Sequence, residues 1–434
     1  MDNSKKELLL KIVKEQVIPA LGCTEPASVA LSAATARKFI PGEIERIVVT
    51  VDKNVYKNGA RVTIPGTKEK GLQIAAALGA VGGNPDKGLE VLKGISQTDL
   101  TFAKKLVQQG KVIVNLDATK KTLYISSKIV TSAGYAICTI EREHVNITSI
   151  EVNGNIVGNK REKPKARSKS SITDIQKFNL TNFKEFADKV DINNVSFISD
   201  AIEMNLKLAK RGLKNPENWA VVLNKNLSGK DVDPKKSFMH YPVILAMAAV
   251  YERMDGAKEP AMALTGSGDQ GLTAVLPLIA VKRIKHLTNE KLIRSVLFTY
   301  LVSIYCKSYV GVLSAVCSSG SVISAALSGG ILYLLDGSIE EIEIAVKNTL
   351  VSTAGLICDG AKTSCALKVA TGVSAALYNV LLAESGIAVS NMDGIASADL
   401  KGTLKNLSNL VNSGFKIVDE DIVKILVNSR NSQC

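Results

Sequence analysis

The sequence predicts an α+β protein: an N-terminal mixed region with an antiparallel sheet, then a mostly helical domain. Three observations carry this. Apolar residues alternate with period two through 111–157, in the short runs VIVNL, TLYISS, YAICTIE and VNITSIEV. From residue 172 the alternation stops, and helical patterns rich in Ala, Gly and Ser follow one another. Between them, Gly158 to Lys169 is a basic run with a proline, the composition of a solvated linker. The expected division is 1–157, a basic linker over 158–171, and a catalytic domain over 172–434.

The elements follow in order. Residues 4–18 form a charged amphipathic helix that stops near Pro19. Thr24 caps a second helix over 25–39, with Glu25 and Pro26 in its first turn, where both are favoured. Ile44 to Val51 and Ala60 to Ile64 read as strands around Asn58-Gly59, a strong turn dipeptide. Gly71 to Ala80 is a small Ala-rich helix that stops at Gly82-Gly83-Asn84-Pro85, and Leu89 to Gln109 is helical. After the sheet, helices are expected over 172–190, 195–212, 238–255, 271–285, 290–313, 320–335, 339–357, 361–384, 397–412 and 419–429.

Composition bounds the function. The chain has 434 residues, 46% of them hydrophobic and 22% charged, so it buries a large core. Its net charge is +13, and the linker run supplies a disproportionate share, with six Lys/Arg against one Glu. No aromatic residues interleave there, so no nucleic-acid partner is expected. The N-terminus lacks the uncharged core of a secretory signal. Ser308 to Leu335 carries no charge over 28 positions, long enough to span a bilayer. It is rich in Gly and Ser and breaks at Cys317-Ser318-Ser319-Gly320, where a lipid-facing helix is usually richer in Leu, Ile and Phe, so buried helices and no membrane partner are expected. The expectation is a cytoplasmic protein, with its apolar helices favouring a homodimer.

Seven cysteines and three histidines in this setting read as reduced thiols, not a disulfide framework. Cys138 alternates within a strand and Cys306 lies in an apolar helix, both as core residues. Cys23, Cys317, Cys358 and Cys365 instead adjoin glycines, turns or helix ends. Cys23 immediately precedes a helix N-terminus, a position that lowers a thiol's pKa. On a straight helix Cys358 and Cys365 would share a face but stand roughly 10 Å apart. They can serve one cluster only if the chain turns at Asp359-Gly360. The spacing is neither a zinc ribbon nor a ferredoxin run.

Several motifs together carry a resemblance. Pro19-Ala20-Leu21-Gly22-Cys23-Thr24-Glu25-Pro26, Lys57-Asn58-Gly59, Ile64-Pro65-Gly66-Thr67 and Ile74 to Ala80 stand in the first part of the chain. Gly266-Ser267-Gly268-Asp269-Gln270-Gly271, Leu313-Ser314-Ala315-Val316-Cys317, and Ile357 through Cys365 follow. In this order they resemble the L-cysteine desulfidase family over about residues 10 to 415. That family is related to the iron–sulfur L-serine dehydratases, which share the helical catalytic domain.

The resemblance implies a lyase with a 4Fe–4S cluster and no pyridoxal phosphate, converting L-cysteine to pyruvate, ammonia and sulfide. L-serine dehydration is the close alternative. It implies Cys317, Cys358 and Cys365 as ligands with one iron left open as a Lewis acid, Cys23 being the alternative to Cys365. Cys23 as a thiolate is the first candidate for the base and His144 the second. The turn Thr265, Gly266, Ser267, Gly268 and Gln270 precedes a helix, whose N–H groups suit a substrate carboxylate. Lys57, Asn58, Gly59 and Lys362 are further candidate contacts for a small amino-acid substrate. In the serine enzymes a C-terminal cysteine reaches the free iron, which places Cys434 among the residues of interest.

Overall fold

The computed structural model describes residues 1–158, 169–228, 233, 235–311 and 314–431. The basic run 159–168 and Cys434 lie outside the described residues. The α+β order is as the sequence predicts. The sheet has six strands in the order Val112–Leu116, Ile44–Val51, Tyr124–Thr131, Gly134–Glu141, Ile147–Val152 and Asn155–Gly158. Four neighbouring pairs are antiparallel, but Val112–Leu116 runs parallel to Ile44–Val51, with Val112 opposite Ile47. The sheet is therefore mixed, because helices cross between those two strands, as a parallel pair requires.

The expected hairpin at Asn58-Gly59 is not formed. Lys53–Gly59 is a short helix, and the Asp52 carboxylate caps it by accepting from the N–H groups of Asn54 and Val55. Gly59 serves packing: a Cβ there would lie 2.2 Å from a Leu72 methyl. Ala60 to Ile64 contributes only the isolated Thr63–Lys70 bridge. Helices Thr24–Lys38 and Leu72–Gly82 cover the sheet, and they approach closely enough that a Cβ on Gly79 would meet the Ala30 carbonyl at 2.3 Å.

The helical body is built from Tyr241–Met254, Gly268–Ile284, Asn289–Val310, Ser324–Leu334, Ile339–Thr353 and Cys365–Glu384, with further helices around them. Trp219–Ser228 is a helix the pattern did not suggest. One strand is also unexpected. Ala261–Leu264 pairs antiparallel with Val17–Ala20, with Val17 opposite Leu264, which ends the first helix at Gln16. That ladder sets the turn at Thr265 beside Gln16, whose carbonyl accepts from the Thr265 N–H, while Gly22-Cys23 leave its other end, beyond Ala261.

The two hydrophobic cores exchange termini. Leu9, Ile12 and Val13 of the first helix are buried in the helical core. Val423 of the last helix, Phe415–Asn431, is buried in the sheet core. Within the uncharged stretch, Ser324–Leu334 is buried along its whole length. Cys365–Glu384 is, among the described residues, the one helix long and apolar enough to cross a membrane; here Val369, Val373, Leu377 and Val380 pack into the core.

Candidate active site

Two groups of side chains meet between the cores. The first forms around Cys23. Gly22 takes φ +63°, and a Cβ there would strike Pro65 at 2.4 Å, so glycine is required for this turn. Its carbonyl accepts from Arg253 Nη2. Cys23 Sγ donates to Glu25 Oε2 at 2.8 Å, and the Thr24 hydroxyl donates to the same oxygen at 3.2 Å. Asn58 Nδ2 donates to Glu25 Oε1 at 2.9 Å.

Burial alone would push the Glu25 carboxyl up. The electrostatic influence of His144, with the hydrogen bonds from Cys23 and Asn58, offsets this and holds it below its ordinary value. The Cys23 thiol moves the other way. Burial first, then the adjacent Glu25 charge, raise it well above its ordinary value. Both effects work against the thiolate expected at this helix N-terminus: burial first, then the carboxylate two residues on. His144 stands close enough to Glu25 for charge coupling. Its carbonyl accepts from Ser28 at 2.6 Å, and its Nε2 is buried without a hydrogen-bond partner.

The second group is the cysteine loops. The Cys317 N–H donates to Leu356 O at 2.7 Å and the Cys358 N–H to Ala315 O at 2.6 Å, flanking the Val316–Ile357 bridge. This antiparallel bridge sets the two cysteines diagonally across it, Cys317 opposite Leu356 and Cys358 opposite Ala315. The chain then turns at Gly360, with φ +95°, and Cys365 opens the next helix. This is the turn that the sevenfold spacing requires, and it replaces the expected helix start at 361. A Cβ on Gly360 would lie 2.2 Å from the Lys57 carbonyl, so the cysteine loop rests on the Lys53–Gly59 helix.

Burial, then Cys358, raise the Cys317 thiol to about 11. Burial, then Asp269, raise Cys365 to about 12. Lys307 is buried nearby with its Nζ 2.7 Å from Ser318 Oγ; burial pulls its ammonium down to about 8, against Cys358 and Cys317.

Asp269 joins the groups. It pairs with Arg253 at 2.8 Å, both residues buried, and its charge reaches Cys317 and Cys365. Arg253 Nε is buried without a hydrogen-bond partner, and it passes where only a glycine fits: a Cβ on Gly268 would meet it at 2.3 Å. Ser267 precedes the helix Gly268–Ile284 and makes no side-chain cap, while Thr265, at φ +47°, donates its hydroxyl to Gln270 Oε1. Gly266 also takes a left-handed turn, at φ +84°.

Other candidates serve the frame. Lys57 Nζ pairs with Asp419 at 2.6 Å on the last helix and is 3% exposed, so its ammonium faces that helix. Lys362 and Lys368 both hold Asp359, with Lys362 at 2.7 Å, and Lys362 also donates to the Asp359 and Gly360 carbonyls. The Asp359 carboxyl is pushed up by burial but held below its ordinary value by these two lysines. Glu25, Arg253, Lys307 and Asp419 were not singled out. Glu25 alone had a sequence signal, two residues after Cys23, and it read as a helix-start acid.

Among the described residues no three His, Cys, Asp or Glu side chains gather around a single ion. A 4Fe–4S cluster asks for something else, thiolates that each bind a separate iron. Cys317 lies within electrostatic reach of both Cys358 and Cys365, and Lys307 within reach of Cys317 and Cys358. Three thiols are the donor chemistry that such a cluster takes.

Fold and site define an α+β protein with a thiol-lined centre in its helical body and a buried carboxylate–thiol pair beside it. The chain belongs to the serine dehydratase alpha chain family, whose model matches residues 86–424, and that family is one of iron–sulfur lyases. Full-length relatives include a UPF0597 protein of Clostridium tetani (strain Massachusetts / E88), 36% identical over 99% of this chain and 100% of its own. A UPF0597 protein of Desulfatibacillum aliphaticivorans is 37% identical over 97% and 98%. One of Clostridium botulinum (strain Okra / Type B1) is 35% identical over 98% and 99%. The family match starts beyond Cys23, whereas these relatives span it.

Proposed function

We propose that the chain is an L-cysteine desulfidase, eliminating sulfide from L-cysteine to leave pyruvate and ammonia. One observation carries the reading: the three-thiol set and the Cys23–Glu25 pair meet across the buried Arg253–Asp269 bridge. Cys317, Cys358 and Cys365 would hold a 4Fe–4S cluster. When bound, such a cluster supplies a Lewis-acidic iron that stabilises a departing anion. The chain's own residues do the rest. Cys23 and Glu25 provide a proton acceptor for Cα, and His144 stands against Glu25. The uncapped helix start at Gly268 and the turn before it offer N–H groups to the substrate carboxylate. Lys307 counters thiolate charge, and Lys362 and Lys368 hold the cysteine loop through Asp359.

A second reading, L-serine dehydration, is favoured by the family match itself. Both are tested at once by anaerobic purification, iron and sulfide analysis, and pyruvate release from L-cysteine beside L-serine. Faster release from cysteine is expected. Faster release from serine would select the second reading, and a cluster-loaded protein inert on both would remove the two together.

A further inference from the structure

We propose that Glu25 is the proton acceptor behind Cys23, so that the base of the site is a thiol–carboxylate pair and not a lone thiolate. This rests on the elimination reading above. Four observations lead to it. Cys23 Sγ and Glu25 Oε2 share a hydrogen bond of 2.8 Å, so a proton crosses from sulfur to oxygen without movement of either backbone. Glu25 is only 6% exposed, and a carboxylate in that position is costly unless its charge is used or compensated. Its second oxygen is fixed by Asn58 from a separate helix, and Thr24 adds a third donor, so the carboxylate is aimed and not loosely placed. His144 stands within charge range with its Nε2 buried and without a hydrogen-bond partner.

A thiol in this setting is a poor base by itself, since burial and its neighbour keep its proton on. Joined to a carboxylate it becomes a competent one. The Cα–H bond breaks and its proton goes to the Cys23 sulfur. The thiol's own proton goes to Glu25 Oε2, leaving a carboxylic acid. The Cα electron pair becomes the Cα=Cβ bond as the Cβ–S or Cβ–O bond breaks, and the leaving group departs with that bond's electrons. The charge that sat on Glu25 now sits on the leaving group, so the step balances. Glu25 acts through Cys23 and is a positioning and proton-accepting residue.

The titratable and charged groups facing the pair are His144 from the loop after Gly134–Glu141, Arg253 from Tyr241–Met254, and Asp52 at the end of Ile44–Val51. Their summed field is unchanged by a neutral, same-shaped replacement of Glu25, which makes Glu25→Gln the informative variant. Glu25→Asp keeps the charge and shortens the reach.

The test uses the full chain and two readouts. The first is pyruvate release with iron content measured on the same samples. Glu25→Gln is expected to lower kcat by about 100-fold or more at unchanged iron, and Glu25→Asp to recover part of that loss. The second is alkylation of Cys23 by iodoacetamide across roughly pH 7–12, followed at peptide level by mass spectrometry. Removing the carboxylate charge is expected to move the Cys23 midpoint to lower pH in Glu25→Gln, with Glu25→Asp close to the unsubstituted chain. A Glu25→Gln protein with kcat within about threefold of the parent, an unmoved alkylation midpoint, or loss of iron along with activity would each overturn the proposal. Should the parent release no pyruvate from either amino acid, the proposed reaction fails, while the alkylation midpoint still decides whether the pair exists.

Discussion

Cys23 and Cys317 are the same residue type, both partly buried, both with thiols raised by desolvation. What surrounds them differs. Cys23 faces a carboxylate, an asparagine and a histidine; Cys317 faces two further thiols and a buried lysine. A neighbouring acceptor suits proton transfer, whereas converging thiols beside a cation suit soft-metal ligation. The electrostatic company of a cysteine therefore assigns its task more firmly than its burial does.

The bridge between the two regions is the first place to break this comparison. Arg253→Met would leave Asp269 charged and unpartnered in a buried position. Breaking a buried pair in this way costs about 3–5 kcal/mol, read as a lower midpoint in urea unfolding. An unmoved midpoint would mean that the two regions do not depend on Arg253.

Core thiols sharpen the contrast. Cys138 and Cys306 take no part in either group, and burial raises each from 9.0 to about 12. Both folded values lie above the unfolded one. Their contribution to stability is therefore complete below pH 9 and is lost as pH rises toward 12. Unfolding free energy should fall across that window, and Cys138→Ala with Cys306→Ala should flatten the fall. A slope unchanged by both substitutions would contradict this.

The frame beneath the cysteine loop gives a smaller effect. Asp419→Asn removes the charged partner of nearly buried Lys57, which should cost about 1.5–3 kcal/mol in the same unfolding assay. Lys362→Met breaks a pair whose side chains are 28% and 37% exposed, and should cost at most about 1 kcal/mol. The reverse order would show that the loop is held from its outer side.

Much of this was legible in the chain. The α+β order follows from a change of period at one place, and the turn at Gly360 follows from asking how two thiols seven residues apart can share one centre. What stayed hidden depended on distant partners. Asn58-Gly59 has the chemistry of a turn, yet the Asp52 cap and the packing of Leu72 on Gly59 make it a helix end. Ala261–Leu264 is too short to announce itself and exists through Val17–Ala20. Arg253 reads as an ordinary basic helix end, and only the fold sets it against Gly22 and Asp269. Helix position predicted a low Cys23 pKa because the sequence shows that Glu25 is near but not that its oxygens turn to the sulfur.

The division of the cysteines is the central claim, and iron per chain after anaerobic purification tests it most directly. Cys317→Ala should lose the cluster, while Cys23→Ala should keep its iron and lose pyruvate release. Iron retained in Cys317→Ala, or lost in Cys23→Ala, would contradict the division.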